Sequence, residues 1–244
     1  MQAVRIKLYQ NLVNYRIGLS YGYVQTYPLP TPSMVRGMVH NLLGLKEYKN
    51  LKISIQGEYK SIITDLQKVY KFDRVRDDKK KGIVDNRPRV YAGDQKRSLN
   101  QGILFIDEIV DMDLILHISF EEEYLNNKLL EVVLSKTVVL GRNEDIAYVD
   151  FENTKIVHVQ SLEDEDGYRL RYNMYLTPEV CKKSQLSGTY YRLPFYYHPV
   201  SSFEDKRIFE YVDVVYVTKG AKLEGDVLVD EDGYLVSFLE CKLP

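Results

Sequence analysis

The chain has no tryptophan, two cysteines and four histidines among its 244 residues. Cys181 and Cys241 lie far apart with no C-x-x-C spacing. That spacing excludes the common zinc and thiol-redox motifs and makes a reducing, cytoplasmic address the expectation. No apolar run approaches the ~18 residues that would cross a bilayer, so no membrane partner is expected. The first residues alternate like a strand and do not read as a signal peptide. A Walker loop, G-x-G-x-x-G, H-E-x-x-H and G-x-S-x-G are all absent. Catalytic residues, a metal and a cofactor are therefore not expected. A net charge of −2 argues against a protein that coats nucleic acid over its whole surface.

Apolar residues make up 45% of the chain and charged residues 28%, the composition of a soluble globular protein with an ample core. The charge is unevenly placed. Residues 68–97 hold eleven Lys/Arg against five Asp/Glu, a local +6, while the remainder holds twenty-two against thirty, or −8. A basic segment on an acidic body marks a localised anion contact, although a solvated charged loop has the same composition. There are also 21 tyrosines, which can stack on bases or serve as half-buried strand residues.

One stretch has unusually clear ends. Thr31 can cap a helix, Pro32 fits the first helical position, and Gly44 fits the left-handed closing position. Between them Val35, Met38, Val39, Leu42 and Leu43 form one apolar stripe, predicting a helix over 32–43. Ser33, Arg36, Gly37 and His40 share the other side. A glycine there costs roughly 1 kcal/mol against alanine and lets another backbone approach. The plain alternative is a packing helix with a tolerated glycine.

Around this helix, 4–10 reads as a strand, 11–30 as a turn-rich connection carrying Tyr15, Arg16, Tyr21, Tyr23 and Tyr27, and 51–66 as strand continuing toward Phe72. The segment 68–97 reads as a protruding hairpin with a mobile tip. Strands are expected at 103–106 and 114–120, a second helix at 125–136 capped by Asn126 or Asn127, and strands at 147–151 and 156–159. The order strand, helix, strand, strand, helix, strand is that of a ferredoxin-like, RRM-like α+β domain over 1–160, with 68–97 as its insert. Residues 161–244 read as a smaller β-rich region that closes on a hairpin turning at Asp230-Glu231-Asp232-Gly233. Solvated loop charge is the expectation for that acidic run and for Glu121-Glu122-Glu123. His117 and His158 sit inside strand patterns. A metal-independent ribonuclease could use His117 with tyrosine neighbours, but no lysine adjoins it.

Asn14-Tyr15-Arg16, the pattern P-x-P-S-x-V-x-G-x-x-H-x-x-L-G from Pro30 to Gly44, and Leu140-Gly141-Arg142-Asn143-Glu144-Asp145 together resemble the fifth family of CRISPR-associated (Cas) proteins. By motif the resemblance spans roughly 1–150, and its form is nearest to type I-B members. It implies a repeat-associated (RAMP) protein and a non-catalytic subunit of the Cascade surveillance complex that grips the 5′ handle of the CRISPR RNA (crRNA). Its implied neighbours are the backbone subunit and the large subunit that reads the target's flanking motif, with target DNA near that motif as a further candidate contact. The basic insert would be the family's thumb-like hairpin. Type I-C relatives cleave RNA with a Tyr/Lys/His set, but here Leu116 occupies the position before His117, so a separate endoribonuclease would supply that step.

A short RNA end needs cations for phosphates and aromatic faces for unstacked bases. The candidate RNA-binding residues are Tyr15, Arg16, Arg36, His40, Lys71, Arg74, Arg76, Arg87, Arg89, Lys96, Arg97 and Arg142. Two other functions fit parts of the pattern: the metal-independent endoribonuclease, and an assembly protein with little RNA contact.

Overall fold

In the computed structural model, residues 1–240 are described except Leu19, Tyr21, Lys79, 164–166 and 201–202; side chains are not described at 199, 200 and 203–206. Tyr21, Lys79 and Cys241 thus lie outside the described residues. The elements are β1 (Gln2–Val13), β2 (Tyr23–Val24), α1 (Pro32–Leu43), β3 (Leu51–Glu58), β4 (Ser61–Arg74), β5 (Arg89–Ala92), β6 (Gln95–Phe120), α2 (Glu123–Ser135), β7 (Val138–Val139), β8 (Ile146–Val149), β9 (Lys155–Leu162), β10 (Tyr168–Arg169), β11 (Asn173–Leu176), α3 (Pro178–Lys183), β12 (Thr189–Val200), β13 (Phe203–Val217), β14 (Lys222–Leu223), β15 (Val227–Asp230) and β16 (Leu235–Val236). The protein is α+β and mostly sheet.

The sheet centre runs β3-β6-β1-β9, with every neighbouring pair antiparallel. Alternation decides what each face holds. Val4, Ile6 and Leu8 of β1 join Val35, Val39 and Leu42 of α1 and Leu125, Leu129 and Val133 of α2 in the main core. Tyr175, Leu193, Phe195, Val214 and Leu239 complete the same core, and β11 pairs with β3. The expected division at residue 160 falls inside β9.

Helix α1 has the expected ends. The Thr31 hydroxyl accepts the Met34 N–H at 3.3 Å, and Gly44 takes φ 67°. Helix α2 departs from expectation at its start. Glu122 occupies the cap position, and Asn126 lies inside the helix, where it bonds both backbone groups of Phe120. The strands expected at 103–106 and 114–120 are one 26-residue strand, β6. It changes partner midway, from β4 (Ser61 opposite Val110) to β3 (Glu58 opposite Asp113). Between these registers Asp111 takes a left-handed φ of 53°, and its carboxylate accepts the Tyr9 hydroxyl at 2.7 Å. The basic ribbon is accordingly longer than 68–97, since β4 and β6 pair along 61–74 and 97–110.

The second face of the sheet carries Arg5, Ser54, Gln56 and His117, all buried. The β15–β16 hairpin closes it. Asp230 accepts Arg5 Nη1 at 2.8 Å and His117 Nε2–H at 3.0 Å, and the backbone N–H groups of Asp232 and Tyr234 bond its other oxygen. Gln56 donates to the Leu235 carbonyl, and Ser54 accepts the Ser237 N–H. The turn at 230–233 is therefore not a solvated acidic loop: Asp230 is 1% exposed, and Asp232 pairs with Arg5 and Lys155. At the other acidic run, Glu122 pairs with Lys49.

Burial opposes charge on Asp230, but His117, the Tyr234 N–H and Arg5 hold its carboxyl down to about 2. Burial pushes His117 below its ordinary 6.5 despite Asp230. Both groups contribute fully at neutral pH and lose that contribution on acidification, His117 from 6.5 downward and Asp230 from its ordinary 3.8 toward about 2. Asp230→Ala is expected to cost about 3–5 kcal/mol, because it removes the buried carboxylate shared by Arg5 Nη1 and His117 and leaves Arg5 only the half-exposed Asp232, read as a lower urea midpoint at unchanged slope. A loss under about 1 kcal/mol would show that the pair behaves like an exposed one.

Candidate nucleic-acid interface

The polar side of α1 opens onto a cleft of about 360 Å³, at the small end of the roughly 300–1,000 Å³ typical of ligand sites. Ser33, Arg36, Gly37 and His40 form its floor, as their helical spacing requires, with Lys46 and Tyr48 on one side and Phe195, Tyr196, Tyr197 and Arg207 on the other. Arg36 is buried rather than free. Its guanidinium lies over Tyr48 at 4.3 Å, Phe195 at 5.4 Å and Tyr196 at 5.6 Å, and donates to the Lys49 carbonyl at 2.9 Å. These contacts fix a positive charge beneath a wall of rings. Burial and Arg36 push the His40 imidazole down, so it is neutral at pH 7. A Cβ on Gly37 would meet nothing within 4 Å, leaving the floor open. At the mouth, Arg207 lies over Tyr197 at 4.7 Å, and Tyr196 and Tyr197 stack at an interplanar angle of 19°.

The ribbon has two unlike faces. One presents Leu66, Tyr70, Phe72, Ile103 and Phe105, each half or more exposed, interleaved with Lys68 and with the cross-strand pair Arg74 and Arg97. The other holds an ion-pair knot. Arg87 donates to Asp73 at 2.6 Å and to Asp85 at 2.7 Å, Arg76 pairs with Asp73, and Arg89 pairs with Asp77. Hydrogen bonds from Arg87 hold both Asp73 and Asp85 well below the usual carboxylate range, with Ser98 adding to Asp85. Arg76, Arg87 and Arg89 thus shape the tip, while Lys71, Arg74 and Lys96 remain exposed. Arg97 is half-buried and donates to Gln95. Arg16 is exposed in the loop before β2.

Two candidates lie inside the protein. Tyr15 is fully buried, its hydroxyl donating to Gln10, so its ring cannot meet a base. Arg142 is spent on Asp145 at 2.8 Å and Glu108 at 2.7 Å. Burial opposes its charge, and those carboxylates more than offset that. Gly141 sits at φ 116°, with the Asp145 carboxylate 2.6 Å from where a Cβ would be. The Leu140–Asp145 stretch is therefore a structural clasp on the end of β1. His117 is 0% exposed, so it offers no solvent-facing acid or base. No group of three or more metal-ligating side chains occurs among the described residues. Sequence reasoning left out Tyr48, Phe195, Tyr196, Tyr197 and Arg207; the doublet Tyr196-Tyr197 on a predicted strand was the available signal.

Fold and site define a class: a β-rich α+β protein that displays cationic and aromatic groups on two long hairpins and beside one capped helix. The family follows from the sequence. Residues 3–150 match the family described as CRISPR-associated protein (Cas_Cas5), and the chain belongs to it. No curated protein sequence matches the chain. A chain from a structure described as a CRISPR RNA-guided surveillance complex is similar at TM-score 0.54 and 12% identity, over 90% of this chain and 91% of that one. A CRISPR protein from Archaeoglobus fulgidus is similar at TM-score 0.42 and 12% identity, over 99% and 100%. The first likeness shows a shared fold.

Gly37→Ala is expected to stabilise the protein by about 0.5–1 kcal/mol, since the methyl meets no neighbour and the unfolded chain loses freedom. A raised thermal midpoint would show this, and a lowered one would mean that the floor is packed. Arg87→Ala is expected to speed amide exchange at residues 76–88 while leaving α1 unchanged.

Proposed function

We propose that the protein is a non-catalytic, RNA-binding subunit of a type I CRISPR effector complex, Cascade, in its type I-B form, that holds the 5′ handle of the crRNA. The observation that carries this is the α1 cleft: a fixed arginine beneath tyrosine faces, an open glycine floor, and Lys46 and Arg207 at the mouth. A single-stranded end would place a phosphate near these cations and a base on Tyr196 or Tyr197. The ribbon's exposed apolar and cationic face would lie along the RNA and the adjacent backbone subunit. The large subunit, with target DNA near the flanking motif, completes the proposed cytoplasmic assembly. Membership of the family supports this role.

The domain is read as ferredoxin-like because β1, α1, β3, the distal half of β6, α2 and β9 follow the β-α-β-β-α-β order and pair as β3-β6-β1-β9. RNA-recognition motifs of that fold stack bases on the open sheet face. Here the β15–β16 hairpin covers that face, so RNA is assigned to the helix side and the hairpins. The buried His117 counts against the rival endoribonuclease.

The test is purified protein with labelled repeat RNA in EDTA, read for shift and cleavage together. A shift without cleavage, competed by free handle RNA, is expected, and Lys46→Glu/Arg207→Glu should weaken binding roughly tenfold by removing charge-assisted hydrogen bonds. Cleavage at one site would overturn the non-catalytic role. Replacing Lys68, Lys71, Arg74 and Lys96 by Gln should flatten the salt dependence by about 0.7 for each phosphate that is no longer neutralised. An unchanged slope would remove the ribbon from the RNA surface.

A further inference from the structure

A second surface lies on the sheet side turned away from α1 and α2. Strand β8 extends the edge of β1, pairing Leu8 with Val149 and Tyr9 with Tyr148. Leu8 and Val149 point into the main core, so Tyr9 and Tyr148 stand together on the opposite face. Ile146 shares the Tyr148 side by alternation, and Phe151 meets the Tyr148 ring edge-on at 6.5 Å. Ile146, Tyr148 and Phe151 are 62%, 63% and 56% exposed. Single exposed apolar residues are ordinary, but an ordered group on one sheet edge marks an interaction site.

The border of this group is acidic. Asp113 is the cross-strand partner of Tyr9 and is exposed, and Asp111 accepts the Tyr9 hydroxyl. Glu144 and Glu152 flank Ile146 and Phe151 in the chain, and both are exposed. The local cations are already committed: Lys7 to Asp150, Lys60 to Asp111, and Arg142 to Asp145, Glu108 and Glu144, which leaves Asp113 and Glu152 as the acidic groups of the rim. Phosphate is repelled here, and a lone apolar surface would not match the rim.

The geometry points to a docking surface for a protein partner whose aromatic or aliphatic side chains are bordered by Lys or Arg, separate from the RNA cleft. This rests on the reading of the chain as a subunit of an assembly. It makes the subunit two-sided: the helix side with its basic hairpins takes RNA, and the acidic, aromatic edge of β1 and β8 takes protein. Opposed charge would orient the encounter and discriminate against RNA.

Hydroxyl-radical footprinting of Tyr148 and Phe151 tests it in three states: the chain alone, the chain with handle RNA, and the complex assembled with guide RNA and its protein subunits. Protection in the assembled complex alone is expected. Asp113→Lys/Glu152→Lys should weaken incorporation roughly tenfold with RNA affinity of the free chain unchanged, as expected for reversed charge at an interface. If the complex forms with Tyr148 and Phe151 still reactive, the docking surface is refuted while the RNA role stands. Protection by RNA alone, or concentration-dependent protection of the chain alone, would assign the surface to RNA or to a second copy and also refute it. Failure of any complex to form would overturn the subunit role and the docking surface with it.

Discussion

One buried carboxylate decides which faces of this protein can work. Asp230 sits at the end of β15 and binds Arg5 on β1 and His117 on β6. Those two residues are cross-strand partners at the sheet centre. The contact ties the C-terminal hairpin to the N-terminal sheet across 225 residues of sequence. Removing one member would strand a charge or an imidazole away from water, which is why such a network costs far more to break than to replace outright. Its architectural effect is to close the face that an RRM-like domain would leave open.

With that face closed, the ligand-facing chemistry moves to the periphery. Helix α1 supplies the floor of a cleft because its non-core side carries a glycine between an arginine and a histidine. The β12–β13 hairpin, far along the chain, supplies the aromatic wall. The β4–β6 ribbon adds a mixed apolar and cationic face whose tip is held in shape by Arg87 between two aspartates. On the proposed function, a subunit built this way would position an RNA end by charge and stacking at the margins, with the acidic outer sheet surface clear of RNA.

What could be read from sequence was local. Thr31-Pro32 and Gly44 gave α1 its ends because caps are set by neighbours a few residues away. The same Thr-Pro signal at Thr177-Pro178 starts α3, yet that helix was not expected, since six residues carry no readable apolar period. β6 was expected as two strands, at 103–106 and 114–120, and its continuity comes from two different partner strands, β4 and β3. The roles of Arg142 and Tyr15 were not legible: a free arginine and one clamped by Asp145 and Glu108 look alike in sequence, and Tyr15 is buried by packing around Gln10. Asp230 read as a solvated turn for the same reason, since Arg5 is remote. The cleft was half legible, because its floor is one helix face while its wall comes from residues about 150 positions later.

The most direct measurement is photo-crosslinking from 4-thiouridine placed in the 5′ handle of the guide RNA, in the assembled complex, with the attached peptides identified by mass spectrometry. Crosslinks to α1 and to residues 195–197 or 207 of this chain are the expected result. Crosslinks confined to other subunits, or to the β1–β8 edge, would contradict the assignment of the handle to the α1 cleft.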